Sequence, residues 1–244
     1  MLLKACLNGG RQLDDHPRCP ITPGELAADG AAALAAGAEA LHVHPRNEEG
    51  YESLAPHDVG ATVEAMREIV EAPIGVTTGA WIVPDPEERL RAVESWTVLP
   101  DFASVNFDEP GAAKLATALL ERGVAVEAGL PGAGAAGALA ASGLADRLVR
   151  ILLELDDETI EAALATLDEL ERALAGVAPD APRLLHGRGD TTWDLLGEAA
   201  RREHDARIGI EDTVKLPDGS RAHDNAELVR TAVAHYRAAG LEAR

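Results

Sequence analysis

With 244 residues and a formal net charge of −20, the chain would repel phosphate, which argues against nucleic acid as a partner. A hydrophobic fraction of 46%, with charges interspersed, suits a globular protein and excludes disorder. No apolar run reaches bilayer length, the opening lacks a signal peptide's core, and two cysteines make no disulfide framework, so a reducing, cytoplasmic setting is expected.

Short β-branched or leucine-rich runs alternate with longer alanine-rich segments of helical period. The predicted strands are "LLKACLN" (2–8), "EALHVHP" (39–45), "PIGVTTG" (73–79), "FASVNF" (102–107), "VAVEAGL" (124–130), "LVRILLEL" (148–155), "RLLHG" (183–187) and "ARIGIED" (206–212). After the first comes "TPGELAADGAAALAAG", where Thr22 as N-cap, Pro23 and Glu25 form a capping box. After the sixth comes "DDETIEAALATLDELERALAG", with Ile160, Leu164, Leu167 and Leu174 on one stripe. "NAELVRTAVAHYRAAG" is the last helix, with Leu228, Val229, Val233 and Tyr236 inward. Eight strand–helix units in this length predict one α/β domain, a (β/α)₈ or TIM barrel. A doubly wound sheet would need a Gly-rich turn leading straight into a helix, which "NGGRQLDDHP" does not do.

Barrel chemistry sits at the C-terminal strand ends. Here those ends carry Asn8, His42 and His44, Thr77 and Thr78, Ser104 and Asn106, Glu127, Glu154, His186, Arg207, Glu211 and Asp212. His42 and His44, two apart on a strand, leave it on one side and can share a metal through neutral imidazoles. Period two likewise places Arg207, Gly209 and Glu211 on one strand face, so Glu211 suits a third ligand. Asp212, just beyond, is free to act as a base oriented by Arg207. Thr77, Thr78, Ser104 and Asn106 offer hydroxyls and an amide for a substrate carboxylate or carbonyl, or else cap helices. "HGRGDTTWDLL" (186–196) follows the seventh strand, where barrels bind phosphate through backbone amides. Gly187, Arg188 and Gly189 are therefore the candidates for gripping a cofactor's phosphates, with Asp190 as the competing helix cap.

Together, "LHVHPRNEEG", "TTG", "ASVNF", "VEAGL" and "RIGIEDT…NAELV" resemble the β-keto acid cleavage enzyme family, nearly end to end and in motif order. The resemblance implies a zinc-dependent barrel, a homo-oligomer (dimer or tetramer), that acts on a β-keto acid and acetyl-CoA and yields acetoacetate and a new acyl-CoA. It further implies His42, His44 and Glu211 as zinc ligands, and Arg207 with Asp212 as the deprotonating pair. Glu127 matches an acidic substrate-contacting position, Ser104 a small hydroxyl residue, and one of Thr77 and Thr78 a third-strand hydroxyl. The chain is shorter than typical members, and "NFDEPG" departs from their NFG form, which leaves the particular β-keto acid open. Two rivals remain: a metal-dependent hydrolase, and a non-catalytic metal or acyl-CoA binding protein. The first would want histidine or lysine on the middle strands, and the second has no need of a base.

Overall fold

The computed structural model describes residues 2–238. Eight strands, β1 (Leu3–Cys6), β2 (Ala40–Val43), β3 (Ile74–Val76), β4 (Phe102–Asn106), β5 (Ala125–Leu130), β6 (Arg150–Leu155), β7 (Arg183–Gly187) and β8 (Asp205–Ile208), pair in sequence order. Every pairing is parallel, and β8 returns to β1, which closes the ring. Eight helices alternate with them: α1 (Pro23–Ala35), α2 (Pro56–Arg67), α3 (Pro86–Glu94), α4 (Ala112–Glu121), α5 (Ala133–Ser142), α6 (Ile160–Leu174), α7 (Thr192–Arg201) and α8 (Asn225–Ala238). This is the expected (β/α)₈ barrel. Among the described residues, no helix is long and apolar enough to cross a membrane.

The local signals act as the sequence suggests. Thr22 accepts from the Glu25 N–H at 3.3 Å while the Glu25 carboxylate accepts from the Thr22 N–H at 2.8 Å, so α1 starts with two of its free amides satisfied. On α6 the buried stripe is Ala163, Leu167, Leu170 and Leu174, with Ile160 and Leu164 at its margin. On α8, Leu228, Val229, Ala232 and Tyr236 are buried and Val233 is half-buried.

Alternation along each strand divides the barrel in two. Leu41, Val43, Val76, Ala103, Val105, Val126, Ile151 and Leu153 join the helices in one apolar core. The other set faces the lumen, and its lower layer is ionic. Lys4 on β1 meets Glu127 on β5, across the barrel, with both side chains fully buried. Arg150 donates to the other Glu127 oxygen at 2.6 Å and to Asp205 at 3.0 Å. Asp205 in turn accepts from the Leu2 N–H at 2.6 Å, and the Lys4 ammonium lies 5.5 Å from the centre of the Phe102 ring. Burial alone would raise the Glu127 carboxyl, but Lys4 and Arg150 hold it below the ordinary carboxylate range. Removing one member of a buried pair strands the other charge, so Glu127→Gln should cost about 3–5 kcal/mol in a urea unfolding experiment. A loss below about 1 kcal/mol, the scale of an exposed pair, would mean the floor of the barrel is wet.

Several strands are shorter than their predicted runs, and at β8 the difference matters to the site. β8 stops at Ile208, and Gly209–Asp212 form a turn in which the Asp212 and Thr213 amides donate to the Gly209 carbonyl at 2.9 and 3.0 Å. A Cβ at Gly209 would lie 1.9 Å from the Cys6 carbonyl oxygen, so the backbones approach as only glycine permits. Asn225, at the start of α8, accepts from the Ile210 N–H at 2.7 Å and donates to the Leu7 carbonyl at 2.8 Å. It pins the turn to the end of β1.

Candidate active site

At the C-terminal rim, three buried side chains converge. His42, on β2, and His44, just past it, stand edge to face with ring centres 5.2 Å apart. Glu211 reaches them from the β8 turn, its Oε2 lying 4.0 Å from His42 Nε2 and 3.6 Å from His44 Nε2. One donor atom from each falls within 4.8 Å of the others, close enough to share a cation. Glu211 Oε2 and His42 Nδ1 are buried without a hydrogen-bond partner. A desolvated carboxylate oxygen facing two imidazoles is costly unless something positive sits between them. Burial pushes the His42 imidazole well down toward its neutral, ligating form. Burial alone would raise Glu211, but Arg207 and the two histidines outweigh it and hold the carboxyl well below its usual range. Two imidazoles and a carboxylate are a donor set that suits a divalent metal ion.

The backbone around this cluster is braced. Asn8 accepts from the His44 N–H and donates to the His44 carbonyl, each at 2.9 Å. Gly9 has φ +52°, and a Cβ there would lie 2.4 Å from Glu211 Cγ, so only glycine leaves the glutamate its place.

Arg207 and Asp212 adjoin the cluster. Arg207 donates to Asp212 Oδ1 through Nε at 3.1 Å and Nη2 at 2.7 Å, and to Glu211 Oε1 at 2.9 Å. Both guanidinium contacts fall on one oxygen of Asp212, and the buried Oδ2 is left without a partner. The carboxylate is thus aimed, with one oxygen available to a proton. Thr78 donates its hydroxyl to the Ser104 carbonyl at 2.6 Å, whereas Thr77 accepts from the Gly79 N–H at 3.2 Å and keeps its own proton. Register pairs Val43 with Val76 and Ser104 with Glu127, which puts Thr77 in step with His44 and leaves Ser104 one layer below Asn106. A cavity of about 390 Å³ opens over the cluster, bordered by Arg11, His44, Glu52, Trp81, Arg188 and Glu211.

A family model described as beta-keto acid cleavage enzyme matches residues 1–243. The chain belongs to the beta-keto acid cleavage enzyme family. Among solved structures it is similar to ObcA in the apo state (17% identity, TM-score 0.74, 93% of this chain and 63% of that one). It is also similar to ObcA in a ternary complex with a C4-CoA adduct and oxalate (16% identity, TM-score 0.77, 93% and 65%). The chain thus spans less than two thirds of the length of ObcA. A 3-dehydroquinate dehydratase from Geobacillus kaustophilus HTA426 shares the barrel at 14% identity and TM-score 0.63, over 96% of this chain and 91% of that one.

The structure gives several candidate residues partners of their own. Glu127 does not reach the cavity, because Lys4 and Arg150 occupy both of its oxygens in the barrel floor. Of Gly187, Arg188 and Gly189, only Arg188 borders the cavity. The Gly189 N–H donates to the Asp212 carbonyl at 2.8 Å, so this amide braces the turn after β8, and the Gly187 carbonyl accepts from the Thr192 hydroxyl at 3.3 Å. Asp190 pairs with Lys215 at 3.0 Å and does not cap α7.

The residue that sequence reasoning missed is Glu52, in the loop after β2. Its carboxylate accepts a hydrogen bond from His44 Nδ1 at 2.5 Å and from the Trp81 indole N–H at 3.1 and 3.2 Å. An acceptor on Nδ1 fixes the tautomer and turns the Nε2 lone pair toward Glu211. Trp81 stacks on His44 with ring centres 6.1 Å apart, closing one side of the cavity. Glu52→Gln should therefore weaken divalent-metal affinity by roughly 10–100-fold in a chelator competition titration. Affinity equal to wild type would show that Glu52 does not orient the ligand.

Proposed function

We propose that this chain exchanges carbon fragments between a β-keto acid and acetyl-CoA, releasing acetoacetate and a new acyl-CoA, with zinc held by His42, His44 and Glu211. The observation that carries the reading is Asp212: a fully buried carboxylate, clamped through one oxygen by Arg207, bare at the other, and next to the three-ligand cluster. A zinc ion in that cluster would polarise a ketone oxygen as a Lewis acid.

Asp212 Oδ2 then removes a proton from the carbon between ketone and carboxylate, with Arg207 orienting the base. The carbanion attacks the acetyl-CoA thioester, and the thiolate released attacks the original ketone. The bond between that ketone carbon and the deprotonated carbon then breaks. This leaves the acyl group on CoA and an electron pair on the acetoacetate carbon, which takes a proton. Thr77, Ser104 and Asn106, at the ends of β3 and β4, are the groups we assign to hold the substrate's carboxylate and carbonyl. Arg11 and Arg188 place positive charge at the mouth, where the acid and the phosphates of CoA would enter. That ObcA was solved with oxaloacetate and with a C4-CoA adduct supports a keto acid and a CoA ester as substrates.

The test is to incubate zinc-loaded protein with acetyl-CoA and a panel of β-keto acids, and to identify new CoA thioesters by mass. A new thioester together with acetoacetate is the expected result. Steady consumption without any CoA ester, after subtracting spontaneous decarboxylation, would establish water as the acceptor and a hydrolase in its place.

A further inference from the structure

Arg46, two residues past His44, has no part in the reaction so far. It does not border the cavity, and only 4% of it is exposed. A buried guanidinium is costly, and an apolar side chain of similar volume would be cheaper if filling space were the only need. Its Nη2 donates to the Gly9 carbonyl and, at 2.9 Å, to the Arg11 carbonyl. Both acceptors belong to one turn, which follows β1 and closes where the Arg11 N–H donates to the Asn8 carbonyl at 3.1 Å.

That turn touches the surroundings of the metal site at three points. Gly9 lies against the Glu211 side chain. Arg11 Nε donates to the Ile210 carbonyl at 2.7 Å, immediately before Glu211. Gly10 lies against Glu52, where a Cβ would come 3.3 Å from Oε2. The main chain of Arg46 itself pairs with that of Glu52 in an antiparallel bridge, and the Ser53 N–H donates to the Pro45 carbonyl at 2.9 Å. Arg46 is thus tied through its side chain to the turn that braces Glu211, and through its backbone to the segment that presents Glu52 to His44.

We infer that Arg46 is a positioning residue for the metal centre: its guanidinium fixes the turn after β1, and that turn holds Glu211 in line with His42 and His44. The inference rests on the three-ligand site proposed above. Glu211 is the ligand that needs such support, because it stands on a turn and Arg207 tethers it at one oxygen only. With the turn after β1 loose, Glu211 can swing off the imidazoles, and part of the population loses its third donor. Both side-chain bonds leave a single nitrogen of Arg46. An ammonium with three donors can therefore make them too, whereas a thioether cannot.

Chelator competition for zinc on the full chain tests this. Arg46→Met should bind zinc about 10-fold more weakly than wild type, the lower end of the range lost with residues that orient metal ligands. Arg46→Lys should regain most of that loss. Amide hydrogen exchange on the metal-free proteins gives a second readout. In Arg46→Met, exchange should quicken in residues 8–12 and 209–213 while β3 to β6 keep wild-type protection. Wild-type affinity in a folded Arg46→Met would overturn the inference and leave the metal centre standing. So would equal losses in the lysine and methionine variants, or exchange quickened evenly round the barrel, the mark of a residue that serves stability alone. No zinc binding by the wild type would remove the metal centre and the inference together. If Arg46→Met does not fold, Arg11→Met cuts the link to Ile210 at a side chain that is 30% exposed. It should bind zinc more weakly and exchange faster at 209–213, and wild-type values there would overturn the inference.

Discussion

Replacing His42 and His44 together by alanine should strip the protein of its metal. The pair supplies two of the three donor atoms, and Glu211 alone, held at one oxygen by Arg207, offers a single weak point of attachment. Elemental analysis of wild type loaded with zinc and then desalted should give about one ion per chain, as a site of three protein ligands requires. The double variant should give close to none. Both rings sit at the rim, outside the apolar core between strands and helices, so circular dichroism should show an intact barrel. Full occupancy in a folded double variant would remove these residues from the metal site.

Asp212→Asn should leave metal and fold in place and lower turnover by about 10²–10⁴-fold, the range lost with a general base. The amide keeps the shape of the carboxylate, and its oxygen can still accept from the Arg207 Nη2 that lies 2.7 Å from Asp212 Oδ1. What disappears is the second oxygen's ability to take a proton. Arg207→Lys should also be poorly active, because an ammonium cannot reproduce the two contacts of a planar fork while also reaching Glu211. Turnover within a few-fold of wild type in Asp212→Asn would place the base elsewhere.

The barrel was legible because its signals are local: β-branched runs, a capping box at Thr22, and helical stripes such as the one on α6. His42 and His44 were legible for the same reason, since the alternation of β2 carries on one residue past its end. Glu211 was found for a reason that does not hold in the structure. Period two expects it on the strand, whereas it arrives by a turn that starts where Gly209 presses on Cys6. The ion pair of Glu127 was not legible because its partner Lys4 lies 123 residues away. Glu52 escaped notice because it lies in a loop, eight residues from His44, where no periodicity applies. Gly189 shows a further limit. The glycine was conspicuous, but the partner of its N–H is set by the path of the chain after β8.

Closure of the ring through β1 and β8 bears on the order in which the molecule can be made. The two histidines are synthesised with the second strand, but the carboxylate that completes their triangle follows the eighth, and Asn225, which pins that turn, comes later still. A nascent chain still lacking β8 carries two imidazoles on an open sheet, with no acid opposite and no wall to exclude water. Tight metal capture therefore belongs to the chain after its last strand has left the ribosome, and cation uptake during translation would be a direct clock for the moment the ring shuts.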